Sequence, residues 1–149
     1  MSIATNSLRS SFGMLDAMLG ANLSGVDARL AELRPSADAN NARWVLGHVL
    51  YWRSRVLEML GAEPVWGEAD APEFRGMKRG DPPAEVGRSF DEIVAGLAEA
   101  RARTMAALER PLGEEQQADV LSLALHEAYH VGQLGMLRRA MGLSGAIGG

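Results

Sequence analysis

Two histidines one helical turn apart, His126 and His130, stand with Glu127 in the stretch LHEAYHVGQL. Their order, H-E-x-x-H, is the spacing used by zinc proteases, where two imidazoles on one helix face hold an ion. On a helical wheel the two rings lie about 40° apart, and about 6 Å separates them along the axis. Their nitrogens can therefore reach one cation. Leu123, Leu134, Leu137 and Met141 share that face, so the pair is expected to point into a packed interior. The chain has three histidines in all, and the remaining one, His48, shares its stripe with Trp44, Tyr51 and Arg55. An inward His48 would complete a three-histidine site with an open position, the arrangement of catalytic rather than structural zinc. Nickel, iron and copper accept similar ligands, so spacing alone does not choose the ion. A lone inward histidine is more often a hydrogen-bonded core residue. The pair differs, because burying two neutral imidazoles leaves polar nitrogens to satisfy, and one shared cation satisfies both.

Two other metal chemistries use related patterns. Zincins take their third ligand after H-E-x-x-H, but VGQLGMLRRAMGLSGAIGG after His130 contains no histidine, aspartate or glutamate. The protease reading fails there. Di-iron bundles need two Glu-x-x-His elements and further inward glutamates. Glu127 with His130 gives one such element, but neither His48 nor His126 follows a glutamate at that spacing. A mononuclear site is the expectation.

The elements that would position these residues are helices, for apolar spacing is helical nearly throughout. A first helix carries Leu8, Phe12, Leu15 and Leu19, with Asn6 or Ser7 as its cap. A weaker helical piece, Val26 to Leu33, stops before Pro35. The second main helix starts near Asp38 or Asn40 and carries Val45, Val49, Trp52, Val56 and Leu60 before Gly61. Residues 62–87, rich in proline, glycine and charge, form a long irregular connection; such loops are commonly functional. Ser89 and Glu92 form a capping box for a third helix bearing Phe90, Ile93, Leu97 and Leu108 and ended by Pro111. The fourth runs from about Glu114 to Met141. The expectation is an all-α chain, 1–149 as a single domain: a four-helix bundle with one long crossover between helices 2 and 3.

Composition narrows the function. With 149 residues, 47% hydrophobic and 23% charged, the chain can bury a core without a structural metal, so an ion would serve chemistry. The net charge of -4 and the lack of a basic tract argue against nucleic acid. The absence of cysteine excludes thiolate ligands and a protein-borne thiol nucleophile, and fits a reducing cytoplasm. Asp16 interrupts the N-terminal apolar run, so no signal peptide is expected. No apolar run approaches the roughly 20 residues that span a bilayer. A cytoplasmic protein without membrane partners is the reading.

The segments NARWVLGHVLYW (41–52) and LHEAYHVGQLGMLRR (125–139) resemble the two signatures of the DinB/YfiT-like superfamily of damage-inducible four-helix-bundle proteins. The resemblance extends to helix order, the long connection and the ending near GLSG. It implies one divalent ion, zinc or nickel foremost, on His48, His126 and His130. It also implies a homodimer and, for some members, transfer or isomerisation reactions with a low-molecular-weight thiol as co-substrate. An ion beside such a thiol would favour the thiolate, a strong nucleophile toward a small electrophilic substrate. The alternatives are a metal-dependent hydrolase and a non-catalytic stress-response protein that binds metal or ligand.

Several neighbours have two readings. Glu127 lies about 60° from His130 on the wheel and is either a base or ligand partner, or a carboxylate paired with an arginine such as Arg55. Gln133 is expected to hydrogen-bond a ligand histidine, its rival being a surface glutamine. Trp52 goes to the core, while Trp44 and Tyr51 are the aromatic candidates for lining a pocket. Gly132 permits close helix packing. Trp66 and Phe74 either cap the cavity mouth or anchor the long connection.

Overall fold

The structure, a computed structural model, describes residues 3–76 and 87–147. Among them are five α-helices and one 3-10 turn, with no strand. The helices are α1 (Ile3–Leu23), α2 (Ala28–Ala31), α3 (Ala42–Met59), α4 (Phe90–Ala107) and α5 (Glu114–Ala140); the 3-10 turn is Pro72–Phe74. None is long and apolar enough to cross a membrane. The four long helices pack α1 on α5, α5 on α3 and α3 on α4, with a lighter α1–α4 contact.

Helix α3 occupies the middle of this arrangement. Its Leu46, Leu50, Leu57, Val45, Val49 and Val56 are all almost fully buried, because α4 and α5 cover two sides and the 3-10 turn covers a third. The Asn41 side chain caps its start by accepting from Trp44 N at 2.9 Å. Gly61, at φ 68, ends it, and Ala62 N donates back to Leu57 O at 2.8 Å. Helix α4 opens on the expected capping box, with Glu92 N donating to Ser89 Oγ at 3.1 Å and Ser89 N to Glu92 Oε2 at 2.8 Å.

Two boundaries differ from expectation, and a third decides between two expected starts. Helix α1 already runs from Ile3, so Asn6 and Ser7 lie within it rather than capping it. The weak piece after Gly25 shortens to α2, capped by Asp27, whose side chain accepts from Leu30 N at 2.7 Å. Helix α3 begins after Asn41, beside the later of its two expected starts, because the Asn41 amide closes the first turn.

The connection after α3 is not simply irregular. Its first part, up to Gly76, docks on α3, while residues 77–86 lie outside the described residues. The Phe74 ring lies against Gly47, where an added Cβ would sit 2.2 Å from a ring carbon. Only glycine admits the ring there. Trp66 stacks on Phe74 at 5.4 Å, and both are buried. These two aromatics anchor the connection, and neither lines the cleft beside the histidines.

Candidate metal centre

Helix α3 presents Trp44, His48 and Trp52 along one row at i, i+4 and i+8. Each uses a ring nitrogen on a successive carbonyl of the docked connection. Trp44 Nε1 donates to Glu73 O at 3.1 Å, His48 Nδ1 lies 2.6 Å from Phe74 O, and Trp52 Nε1 donates to Arg75 O at 3.1 Å. A carbonyl can only accept, so His48 carries its proton on Nδ1 and aims the Nε2 lone pair away from the loop. Such an outer hydrogen bond orients a metal-binding histidine and raises its basicity.

Helix α5 supplies the other two rings from above. His130 Nδ1 is 3.0 Å from Gln133 Oε1, which accepts its proton and turns His130 Nε2 inward. His126 Nε2 then lies 3.3 Å from His48 Nε2 and 3.1 Å from His130 Nε2. The three rings meet nearly edge to edge, at interplanar angles of 67°, 73° and 74°. Two inward acceptor lone pairs thus face His126 Nε2, and one proton there cannot fully serve both. A cation serves all three nitrogens. Ligands about 2.0–2.1 Å from a tetrahedral zinc sit about 3.3–3.4 Å from one another, close to the spacing observed. The donor set fits a divalent ion. His126 Nδ1 is buried without a partner among the described residues.

The electrostatics favour the ligating, neutral form. Burial drives the His48 imidazole down to about 4, against the Phe74 carbonyl that stabilises its charged form. Burial also lowers His126, helped by the adjacent His130. It lowers His130 too, partly offset by Gln133 and by Glu127. At neutral pH the three rings are uncharged, so the ion competes with no second proton on any of them.

The histidines form one wall of an open cleft of about 410 Å³, lined also by Asn40, Trp44, Trp52, Arg75, Tyr129 and Gln133. Tyr51, an expected pocket residue, is 1% exposed and does not line it. Trp52 does instead, since it stands one full i+4 step from His48 while Tyr51 leans toward the core, under Arg55.

Glu127 takes the second of its two readings, a carboxylate paired with an arginine across a helix seam, with Arg53 rather than Arg55 as the partner. It is 3% exposed and absent from the cleft. Its carboxylate pairs with Arg53 of α3, Oε2 accepting from Nε at 2.8 Å and Oε1 from Nη2. Arg55, the partner expected, instead pairs with Glu58 and donates to Trp66 O. Both Glu127 oxygens are engaged by a buried cation, so the carboxylate is not poised as a base toward the cleft. Arg53 also holds Asp16 of α1, its Nη2 lying 3.0 Å from Oδ1. Helical spacing had left Tyr129, Asn40 and Arg75 unmarked. Tyr129 could have been found, since it lies about 60° from His126 on the wheel.

Gln133 gives a direct test of this geometry. Gln133→Ala removes the acceptor on His130 Nδ1 and should weaken zinc binding by about 10–100-fold. A competition titration against a chromogenic chelator measures it. An unchanged affinity would mean His130 is oriented by something else.

No protein-family model matches this sequence, and no curated protein matches it.

Proposed function

We propose that the chain is a divalent-metal-dependent transferase of the DinB-like kind, a four-helix bundle that activates a low-molecular-weight thiol against a small electrophile. The observation that carries the reading is the convergence of three Nε2 atoms, from α3 and α5, at the wall of an open cleft. The likeness of the two histidine segments to that superfamily supports it, as does the lack of any cysteine to act as the chain's own nucleophile. When bound, the ion, zinc or nickel, would supply positive charge that favours the thiolate of a thiol held beside it.

The chain's residues do the rest. His48, with its Nδ1 proton committed to Phe74, and His130, with its own committed to Gln133, keep their Nε2 lone pairs for the ion. Trp44 backs His48, stacked at 4.9 Å, and shields it from water. Trp52 and Tyr129 offer aromatic surface to the electrophile. No carboxylate lines the cleft among the described residues, so the thiol proton leaves to solvent. A water in its place would have to lose its proton in the same way, so it is the likeness to the superfamily that favours the thiol over the hydrolase reading.

The reading predicts that zinc- or nickel-loaded protein conjugates 1-chloro-2,4-dinitrobenzene with at least one member of a panel of low-molecular-weight thiols. Chelator-treated protein should do so at the uncatalysed rate. Failure with every thiol, in protein shown to carry metal, would leave a non-catalytic metal-binding protein.

A further inference from the structure

The cleft beside the histidines has a charge pattern that the metal does not explain. Among the described residues Arg75 is the only lining side chain that is charged at neutral pH, and no acid lines the cleft. The nearest buried carboxylate, Glu127, is consumed by Arg53. Arg75 is also placed rather than free: its carbonyl accepts from Trp52 Nε1, which fixes its backbone at the cleft rim. Among the described residues its guanidinium has one partner, Glu68, at 3.9 Å, with both side chains about two-thirds exposed (69% and 67%). A pair that long and that wet contributes little, so the guanidinium is available to a ligand.

The remaining lining combines the aromatic rings of Trp44, Trp52 and Tyr129 with the amides of Asn40 and Gln133. Trp52 meets the His126 ring edge-on at 5.7 Å, and Tyr129, 70% exposed, meets His130 at 5.0 Å. The half-buried Trp52 and the exposed Tyr129 thus offer ring surface on which a flat ligand can stack. The Asn40 Oδ1 is buried without a hydrogen-bond partner among the described residues, at the same cleft. It can accept from an N–H or O–H of a bound molecule.

We infer that the cleft selects a small molecule with a flat apolar body and a carboxylate, and that Arg75 is the residue that recognises the carboxylate. A single guanidinium offers two parallel N–H groups, which match one carboxylate. The flat body lies against Trp52 and Tyr129, and Asn40 takes a donor where the ligand has one. The inference rests on the metal-transferase reading for what happens to this molecule, but not for how it is held.

The test uses 2-naphthoate and 2-naphthamide, alike in shape and different in charge, titrated calorimetrically into zinc-loaded and chelator-treated protein. Wild type should bind naphthoate about tenfold more tightly than naphthamide in both states, the gain of one charge-assisted pair. Arg75→Gln should abolish the preference, Arg75→Lys should keep part of it, and zinc content should be unchanged in both. Equal affinities in wild type, or a preference that survives Arg75→Gln, would overturn the assignment. A preference seen only with zinc present would overturn it as well, because the carboxylate would then sit on the ion. The two readings fail separately. Protein that takes up no zinc but prefers naphthoate through Arg75 upholds the inference and removes the metal site. Protein that holds zinc and shows no preference does the reverse.

Discussion

Replacing His126 with alanine will strip the ion from the purified chain, with metal analysis falling from an ion per chain to a trace. His126 Nε2 is the nitrogen nearest both others, at 3.3 and 3.1 Å, so its loss leaves two donors with no third between them. Loss of even an outer hydrogen bond to a metal-binding histidine costs about 10–100-fold in affinity, and losing the donor itself must cost more. His126 is also the cleanest position to change. His48 holds the Phe74 carbonyl and His130 holds Gln133, whereas His126 Nδ1 holds nothing among the described residues. Equal metal in wild type and variant would dispose of the site. Acid offers an independent check on the metal-free protein. The His48 imidazole is lowered from 6.5 to about 4 in the folded chain, so between those values the unfolded chain binds more protons. Stability should be flat above that window and fall as pH drops through it. Denaturant midpoints that do not move across the window would mean the rings titrate in the folded chain as they do when free.

The long helices and the histidine row are the parts most legible in the chain, and both follow from one period. Leu8, Phe12, Leu15 and Leu19, spaced for burial, are indeed all buried along α1. His48, His126 and His130 fall where the wheel places them, close together at the wall of one cleft. The same period, applied more strictly, would have exchanged Tyr51 for Trp52, since i+4 stays on a row better than i+3 does. Docking of the connection was less legible, because it depends on ring nitrogens meeting carbonyls distant in sequence. Spacing along a chain carries no such pairings. The Arg53 cluster had a visible sign all the same. Asp16 stands four residues after Phe12, on the apolar stripe of α1, and an acid in that position needs a buried cation. Its partner lies on another helix, and no local rule distinguishes Arg53 from Arg55.

That cluster carries the largest stability prediction. Arg53 of α3 is 3% exposed and ties two other helices to itself, through Asp16 of α1 and Glu127 of α5. Its guanidinium also lies over the Phe12 ring at 4.6 Å. Burial opposes the charge, but Glu127 and Asp16 overcome it and hold Arg53 above its ordinary value. Arg53→Met keeps the apolar bulk and removes the cation. Two carboxylates would then stay buried with, among the described residues, only the exposed Arg101, 3.8 Å from Asp16, near one of them. Breaking a buried ion pair from one side costs about 3–5 kcal/mol, which corresponds to roughly 10 °C or more in melting temperature for a chain of this size. The deficit should narrow as pH falls, because orphaned carboxylates gain protons more readily in the folded chain than in the unfolded one. Calorimetry at neutral and mildly acidic pH reads both effects, and a variant melting within a degree or two of wild type would mean the cluster holds nothing together. The same network separates two roles for Glu127. A base would make Glu127→Gln abolish turnover while leaving stability alone. A carboxylate held by Arg53, one residue from His126, should instead lower stability and leave the zinc content near that of wild type.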